Sequence, residues 1–378
     1  MNTFLDQLDI RRTINGCGIY TDLGGSRLSE TVVHAMLDVN KDFVQLKPLL
    51  DGSGAWIASQ FGAEAARVTP GAAAAIMLGT AACLAGQDGN KSEQLPDLTC
   101  MKSRVLIQSV HRYKYDRQAT MSGAKLTEYG GAQGNSTAQL EEALAANDAA
   151  MILHPIHLDE VEGSLRLEDV VKIARPHGVP VFVDAAYMVF PTNLMATYIE
   201  RGADLVAISS KYYGGPNAGG FIMGRADLVK AVSNVHFTAY ESGTTLKYGR
   251  PLKMDRHTIV AVCVALEEWL NLDHDARHRH YDRQVQVLKQ DIAGITGLSS
   301  EPKCFTMDER FIDEPVNALL ITVDAAKTGK SAQAMADALF DQQPCIAVIQ
   351  EDDKIGVVVE VLTDSEVIKI GEAIRNAL

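Results

Sequence analysis

Short, continuous runs of apolar residues punctuate the middle of the chain. Four of them, rich in valine, isoleucine or leucine, occupy residues 104–109, 149–155, 179–185 and 205–210. Polar and apolar residues mostly do not alternate within these runs, as expected for strands that are buried on both faces. The pattern therefore predicts buried strands.

Helical patterns separate these strands. Ser136 and Gln139 have the spacing of a capping box and predict the start of a helix. Leu167 and Val171 belong to an apolar set at helical spacing that ends before Gly178. Strands that alternate with helices predict βαβ units and a mainly parallel sheet.

After about residue 250 the pattern predicts a second, smaller α/β region. Its predicted elements are a helix at 257–272, a strand at 318–323, a helix at 331–341, strands at 346–350 and 357–362, and a last helix from 365. We therefore expect an α/β protein with two domains. The large domain covers residues 46–254, the small C-terminal domain covers 255–378, and residues 1–45 form a segment that packs with the small domain.

Composition and charge narrow the class of protein. The 378 residues are 47% hydrophobic and 22% charged, which is ordinary for a globular protein. A net charge of −13 opposes binding to long nucleic acids, because phosphate contacts need a basic surface. Six scattered cysteines without a CxxC pair fit a reducing cytoplasm.

No membrane or export segment is expected. The first twelve residues include acidic side chains and lack an apolar core, unlike a signal peptide. The longest mostly apolar stretch, residues 72–86, is shorter than the roughly 20 residues of a membrane span. We therefore expect a cytoplasmic protein without a membrane partner.

Two charged residues end neighbouring predicted strands. One strand ends at Asp184 and another at Lys211, which a glycine-rich turn, 214–216, follows. In an open parallel sheet the carboxyl ends of the strands form the edge where ligands bind. A lysine amine can form an imine with the aldehyde of pyridoxal phosphate, and a carboxylate can keep its pyridine nitrogen protonated. The alternative, two unrelated surface charges, is weaker because the two residues and the turn occur together.

A phosphate site is predicted at residues 69–75. A short strand leads into a helix whose first residues, including Gly71, Ala72 and Ala73, have minimal side chains. Free backbone N–H groups and the helix dipole at such an end attract a phosphate. By itself this motif equally describes a plain alanine-rich helix.

Other candidates carry alternatives of similar weight. His111 follows a predicted strand and could stack on a cofactor ring and move protons, or could be a polar loop residue. The cations Arg112, Lys114 and Arg117 nearby could bind a substrate anion or form a solvated basic loop. His274, His278 and His280 could suggest a metal site, but a solvent-facing helix is the better interpretation and no metal is expected.

These residues, taken together, resemble the selenocysteine-synthase-like branch of fold-type I pyridoxal-phosphate enzymes, which includes D-glucosaminate-6-phosphate ammonia-lyases. The resemblance rests on four segments: 12–18 with 21–29, the Asp184 strand, 211–219 and 249–255. It covers most of the chain from about Arg12 and implies an aspartate-aminotransferase-like fold. Departures at Cys17, Asp22 and Gly25 mean that the resemblance does not carry the family's substrate with it.

The resemblance also implies roles. Lys211 would hold the cofactor and carry protons, Asp184 would pair with the ring nitrogen, and His111 would stack on the ring. The phosphate would be held by Gly71, Ala72, Ala73 and Ser209, with Thr244 reaching the phosphate of a neighbouring subunit. Arg250, and Arg112 beside it as a candidate, would bind the substrate. Such enzymes are usually dimers or larger homo-oligomers with shared sites.

The function expected from all this is that of a lyase. It would act on a small, anionic amino acid or amino sugar by removal of the α-proton and loss of a β-substituent. An aminotransferase or a racemase would use the same residues, and a non-catalytic or RNA-binding member of the fold is an alternative of another class. The acidic charge and the short leader before Ile14 argue against a tRNA substrate.

Overall fold

The chain folds into two compact units. The computed structural model describes residues 3–131, 133–238, 240, 242–243 and 245–378. The larger unit is Leu28–Leu270, and the smaller unit joins the residues up to Arg27 with Asn271–Leu378.

Helices and strands alternate along most of the described residues. The helices are α1 Phe4–Gln7, α2 Glu30–Val39, α3 Leu46–Phe61, α4 Ala72–Ala85, α5 Gly89–Gln94, α6 Thr137–Ala145, α7 Leu167–Ala174, α8 Leu194–Glu200, α9 Ala226–Val235, α10 Arg256–Asn271, α11 His274–Asp291, α12 Ala325–Thr328, α13 Ala332–Phe340 and α14 Asp364–Asn376. The strands are β1 Thr13–Gly16, β2 Ala65–Thr69, β3 Arg104–Gln108, β4 Lys125–Tyr129, β5 Ala149–Pro155, β6 Val181–Asp184, β7 Leu205–Ser209, β8 Gly220–Gly224, β9 Leu298–Phe305, β10 Phe311–Ile312, β11 Ala318–Val323, β12 Cys345–Glu351 and β13 Lys354–Val358.

The larger unit is built on one mixed sheet in the order β2-β8-β7-β6-β5-β3-β4. Strand β8 runs antiparallel to both its neighbours, and the other pairs are parallel. The carboxyl ends of β2, β3, β5, β6 and β7 therefore meet at one edge of the sheet. The predicted α/β class and the mainly parallel sheet are confirmed.

Burial explains the apolar runs of the sequence. Strands β5, β6, β7 and β8 are buried at every position. Helix α4 covers the sheet and is itself buried almost all round. A Cβ atom at Gly79 of this helix would lie 2.2 Å from the Phe182 ring, so the glycine allows close packing of α4 on β6. The predicted capping box at Ser136 and Gln139 is also present.

The smaller unit has its own sheet and core. Its sheet has the order β1-β12-β13-β11-β9-β10, with β1 parallel to β12 and the other pairs antiparallel. Helices α11 and α14 contribute the fully buried Leu288 and Ile370 to this core. The N-terminal strand thus belongs to the same compact unit as the C-terminal elements.

The unit boundaries lie at different residues from those drawn on the sequence. Residues 28–45 group with the larger unit, since the Ser29 hydroxyl donates to Glu268 at 2.6 Å and the Arg256 guanidinium donates to the Val39 carbonyl at 3.0 Å. Helix α10 is also part of the larger unit. Helix α5 begins behind an Asp88 N-cap.

Among the described residues, no helix combines the length and the apolar character that crossing a bilayer requires.

Candidate active site

Four chemically active side chains follow strands that end at the same edge of the large sheet. His111 follows β3, His157 follows β5, Asp184 ends β6, and Lys211 follows β7. Register places Pro155 of β5 opposite Asp184, and Asp184 opposite Ala207 of β7. The structure therefore brings Asp184 and Lys211 to adjacent strand ends.

Asp184 is a buried carboxylate with two hydrogen-bond donors. Its side chain is 5% exposed. The Tyr113 hydroxyl donates to one oxygen, and the Ala186 backbone N–H donates to the other at 3.1 Å. Burial raises the pKa of Asp184 above its usual value, and both hydrogen bonds and the nearby His157 oppose this rise only in part. The donors are arranged to serve an ionised carboxylate.

Lys211 lies on the short 3-10 turn directly after β7 and is partly buried. Its ammonium lies 4.9 Å from the centre of the Tyr212 ring. Burial lowers the pKa of Lys211, and the positive charge of Lys114 lowers it further. Both effects increase the fraction of neutral amine, which is the nucleophilic form.

A row of aromatic rings connects the surroundings of the two residues. The Tyr113 ring centre lies 5.5 Å from that of His157, which lies 5.4 Å from that of Tyr187. Tyr187 in turn lies 5.9 Å from Tyr212, the ring beside Lys211. Flat aromatic side chains therefore line this edge of the sheet from the Asp184 carboxylate to the Lys211 amine.

His111 is not placed as a proton carrier. It is fully buried, with Nε2 2.7 Å from the Ser164 hydroxyl and Nδ1 3.3 Å from the Gln108 amide nitrogen. Burial and the neighbouring His154 lower the pKa of His111 to about 3. The ring is therefore neutral near pH 7, and the expectation that it moves protons finds no support in its surroundings.

A buried polar network lies behind His111. The His154 ring meets the His111 ring edge to face, with centres 4.9 Å apart. His154 Nε2 lies 2.8 Å from Asp159, which also accepts a hydrogen bond from the Leu167 N–H and pairs with Arg201. Neighbouring donors and the Arg201 charge hold the pKa of Asp159 below its usual range. The network fixes the His154 ring, which in turn contacts the His111 ring.

The predicted phosphate site lies at the N-terminus of α4. Gly71 precedes the helix with φ of 90°, and no side chain caps the first turn. Ala72 is buried, whereas Ala73 is exposed. Gly220 pairs with Thr69 of β2 and with Ser209 of β7, which places Ser209 near this helix end. Thr244 lies outside the described residues.

This geometry fits pyridoxal phosphate. A side chain at Gly71 would be strained by its positive φ, and the helix end beyond it exposes small residues and backbone N–H groups. Asp184, which is 5% exposed, would supply the carboxylate that a pyridine nitrogen needs, and Lys211 would supply the amine. Gly71, Ala72, Ala73 and Ser209 would hold the phosphate.

The predicted substrate arginines differ in their surroundings. The exposed Arg112 guanidinium pairs with Asp116 and Glu128. Arg250 is half-buried, and its guanidinium lies 5.4 Å from the centre of the Tyr240 ring. Arg112 is thus engaged by two carboxylates, whereas Lys114 is the loop cation whose charge acts on Lys211.

The three C-terminal histidines lie on helix α11 and are partly buried. Arg277 Nη2 lies 3.0 Å from His278 Nε2, and His280 lies 3.5 Å from Asp364. Within the ranges that the structure describes, no group of three or more His, Cys, Asp or Glu side chains is placed to hold a metal ion.

Sequence reasoning did not identify the aromatic partners of the site. Tyr113 lies between Arg112 and Lys114 in the sequence, two positions after His111, but no pattern gave it a role. Tyr187 follows Asp184 by three positions, and Tyr212 is next to Lys211. The one available indication was that each tyrosine lies close in sequence to a predicted site residue. The direction of a side chain in a loop does not follow any simple periodic pattern of the sequence.

Comparisons with known proteins place the chain among enzymes. The family model described as "SelA: L-seryl-tRNA selenium transferase" matches residues 12–296, well over half of the chain. A Streptomyces 5'-C-glycyluridine monooxygenase-decarboxylase is 29% identical over 336 residues, which cover 86% of this chain and 79% of that protein. A Salmonella typhimurium D-glucosaminate-6-phosphate ammonia lyase is 26% identical over 332 residues, 86% of this chain and 84% of that protein.

The fold agrees with these matches. A solved structure of D-glucosaminate-6-phosphate ammonia-lyase superposes with a TM-score of 0.86, at 23% sequence identity, over 100% of this chain and 98% of that one. The expected aspartate-aminotransferase-like architecture is confirmed.

Proposed function

The chain belongs to the L-seryl-tRNA selenium transferase family, and from this premise we propose that it is a lyase that releases ammonia from a small, anionic amino acid. The best substrate class is an amino-sugar acid with a hydroxyl on the carbon next to the amine-bearing carbon. One observation carries the proposal: Asp184 ends β6 and Lys211 follows the adjacent strand β7, in a chain that matches an ammonia lyase over 84% of that enzyme.

Family membership confirms the resemblance predicted from the sequence and, with it, the expected cofactor, pyridoxal phosphate. When bound, this cofactor withdraws the electron pair that removal of an α-proton leaves behind. Family membership alone does not determine the reaction, because the proteins that this chain resembles include an ammonia lyase and a monooxygenase-decarboxylase, while the family is described as a selenium transferase.

Each residue contributes a distinct step. Lys211 would hold the cofactor through its amine and, once released by the substrate amine, would take the α-proton. Its lowered pKa favours both roles. Asp184 would keep the ring nitrogen protonated. His111, neutral and buried, would form a wall of the ring site.

Substrate anions would be recognised by cations of the larger unit. Arg250 is the candidate for the substrate carboxylate, in line with its half-buried position and with its guanidinium against the Tyr240 ring. Lys114, whose charge acts on Lys211, is the candidate for a second anion, and Arg112, which pairs with Asp116 and Glu128, is the alternative. A phosphorylated sugar acid has two such anionic groups.

A homodimer or larger homo-oligomer is part of the proposal, with Thr244 of one subunit at the phosphate of its neighbour. We also expect a cytoplasmic location, in line with the six unpaired cysteines. A mass measurement in solution by light scattering tests the oligomer. Co-purification of RNA that salt removes would support the RNA-binding alternative instead.

A substrate panel tests the reaction. The cofactor-loaded enzyme is offered 2-amino-3-hydroxy sugar acids, with and without a terminal phosphate, and ammonia and keto acid are measured. We expect equal amounts of both with the phosphorylated acids. A requirement for a second keto acid would indicate an aminotransferase, and exchange of α-deuterium without ammonia a racemase. Oxygen uptake with loss of CO2 would indicate the chemistry named for the Streptomyces relative.

A further inference from the structure

Tyr113 is the one side chain that the structure shows donating a hydrogen bond to Asp184 among the described residues. Nothing in the sequence patterns assigned it a role. The second donor to this carboxylate is the backbone N–H of Ala186, which no substitution of a side chain removes.

We propose that Tyr113 is a positioning residue of this site: its hydroxyl holds the Asp184 carboxylate ionised and in one orientation. The inference rests on the proposed role of Asp184 toward the ring nitrogen of the cofactor. The proposal names Tyr113 as the group that helps this buried carboxylate to remain an anion.

The chemistry of the pair supports this direction. An ionised carboxylate accepts hydrogen bonds only, and a phenol donates one. Burial and the Asp184 charge raise the pKa of Tyr113 far above its usual value, so the phenol keeps its proton. Burial by itself favours the neutral acid, whereas the proposed role of Asp184 needs the anion. The hydrogen bond from Tyr113 opposes that tendency.

The loop after β3 is built to present Tyr113. Its backbone N–H donates to the buried Asp116 at 3.2 Å, and Arg112 pairs with the same carboxylate. The ring packs between Tyr115, at 6.1 Å between ring centres, and His157, at 5.5 Å. These contacts fix the phenol independently of Asp184.

His157 is the other titratable group that acts on Asp184. It lies on the turn after β5 and contacts the Tyr113 and Tyr187 rings. Its charge would also favour ionised Asp184, but only when it is protonated, whereas the Tyr113 hydroxyl donates over the whole neutral range.

The first experiment uses the cofactor-free protein. Aspartate labelled with 13C at the side-chain carboxyl is followed by NMR as a function of pH, and the Asp184 signal is assigned by its loss in Asp184→Asn. In Tyr113→Phe we expect the pKa of Asp184 to be higher than in the wild type. The control Tyr115→Phe, which removes a neighbouring phenol that does not bond Asp184, is expected to leave it unchanged. An unchanged pKa in Tyr113→Phe overturns the proposal.

The second experiment connects Tyr113 to the ring nitrogen. With pyridoxal phosphate, Tyr113→Phe is expected to lower kcat by about ten- to a hundredfold, as for loss of a hydrogen bond to a charged group. With 1-deazapyridoxal phosphate, which has carbon in place of that nitrogen, wild type and Tyr113→Phe should have similar rates. An equal loss with both cofactors would indicate general damage to the site and overturn the proposal.

The two results separate this proposal from the proposed reaction. If the wild type releases no ammonia from any acid of the panel, the lyase assignment fails, but the NMR titration still decides the role of Tyr113. The rate comparison would then use exchange of the substrate α-proton in place of ammonia release.

Discussion

Two halves of the same sheet edge differ in the groups that surround their titratable side chains. At the ends of β6 and β7, Asp184 is buried but has two donors, and Lys211 is only partly buried. At the ends of β3 and β5, His111 and His154 are both fully buried. The first half has a carboxylate with two hydrogen-bond donors and an amine whose pKa is lowered, whereas the second has a neutral imidazole enclosed by a polar network.

The difference shows why position at a strand end is not sufficient for catalysis. Every one of these residues lies at the carboxyl edge, where open α/β sheets bind ligands. Burial disfavours the charged form of Asp184, Lys211 and His111 alike, and what separates them is how their neighbours modify that effect. Two donors oppose the effect of burial on Asp184, although its pKa remains raised, whereas His154 adds to the effect of burial on His111 and the pKa falls to about 3.

The largest loss of activity is expected from Lys211→Ala, at the reactive half of the sheet edge. We expect turnover of the preferred acid to fall by about 10³-fold or more, because the variant loses both the attachment of the cofactor and the proton acceptor. Ammonia release and the visible absorption band of the bound cofactor are measured. Lys114→Ala, which removes a neighbouring amine, is the control and should keep the band. Full turnover in Lys211→Ala would mean that another amine acts.

Asp184→Asn should have the next largest effect. The amide has nearly the same shape and removes only the charge, so we expect kcat to fall by about 10²- to 10³-fold while the fold stays intact. Circular dichroism checks the fold, and 15N NMR of labelled cofactor reports protonation of its ring nitrogen. A protonated ring nitrogen in the variant would contradict the role of Asp184.

His111→Gln tests the other half of the edge through stability. The pKa of His111 is about 3 in the folded protein and near 6.5 when unfolded, so the unfolded state binds the extra proton first as the pH falls. This group therefore favours folding above pH 6.5, and that contribution decreases from pH 6.5 toward pH 3.

The free energy of unfolding of the cofactor-free protein, measured by urea titration at several pH values, should fall less steeply with acid in His111→Gln than in the wild type. His177→Gln is the control, since His177 is on the surface beside Glu141. Identical slopes in wild type and His111→Gln would show that His111 is not held neutral by its surroundings.

Much of the fold could be predicted from the sequence. Strand β5 has the bounds that its apolar run indicated, and β3, β6 and β7 lie within the predicted runs, because strands buried on both faces leave an unmistakable pattern. Helix α3 was not predicted. It contains Pro48, Gly52 and Gly54, which disfavour a helix locally, but Gly54 packs so closely on Ala66 that a Cβ atom would lie 2.0 Å from its carbonyl oxygen.

The site was predictable in part. Asp184 and Lys211 stood out because strand ends are visible in the sequence and the chemistry needs those two residue types. The aromatic row and the hydrogen bond from Tyr113 to Asp184 could not be predicted, since both depend on the directions of loop side chains. The strand predicted at 357–362 illustrates the same limit: β13 ends at Val358, and Val359 and Leu362 beyond it are buried outside the strand.

The smallest expected effect separates two cations of one loop. Lys114→Gln should raise the pKa of the Lys211 amine, because the Lys114 charge disfavours a second cation nearby. Arg112→Gln should not, since Asp116 and Glu128 compensate its charge. The rate at which cofactor-free protein attaches pyridoxal phosphate is measured against pH at low salt. We expect the acid limb of Lys114→Gln to move to higher pH and that of Arg112→Gln to stay in place. A shift of equal size in both variants would mean that the loop acts through its total charge, and that the pairing of Arg112 does not set it apart from Lys114.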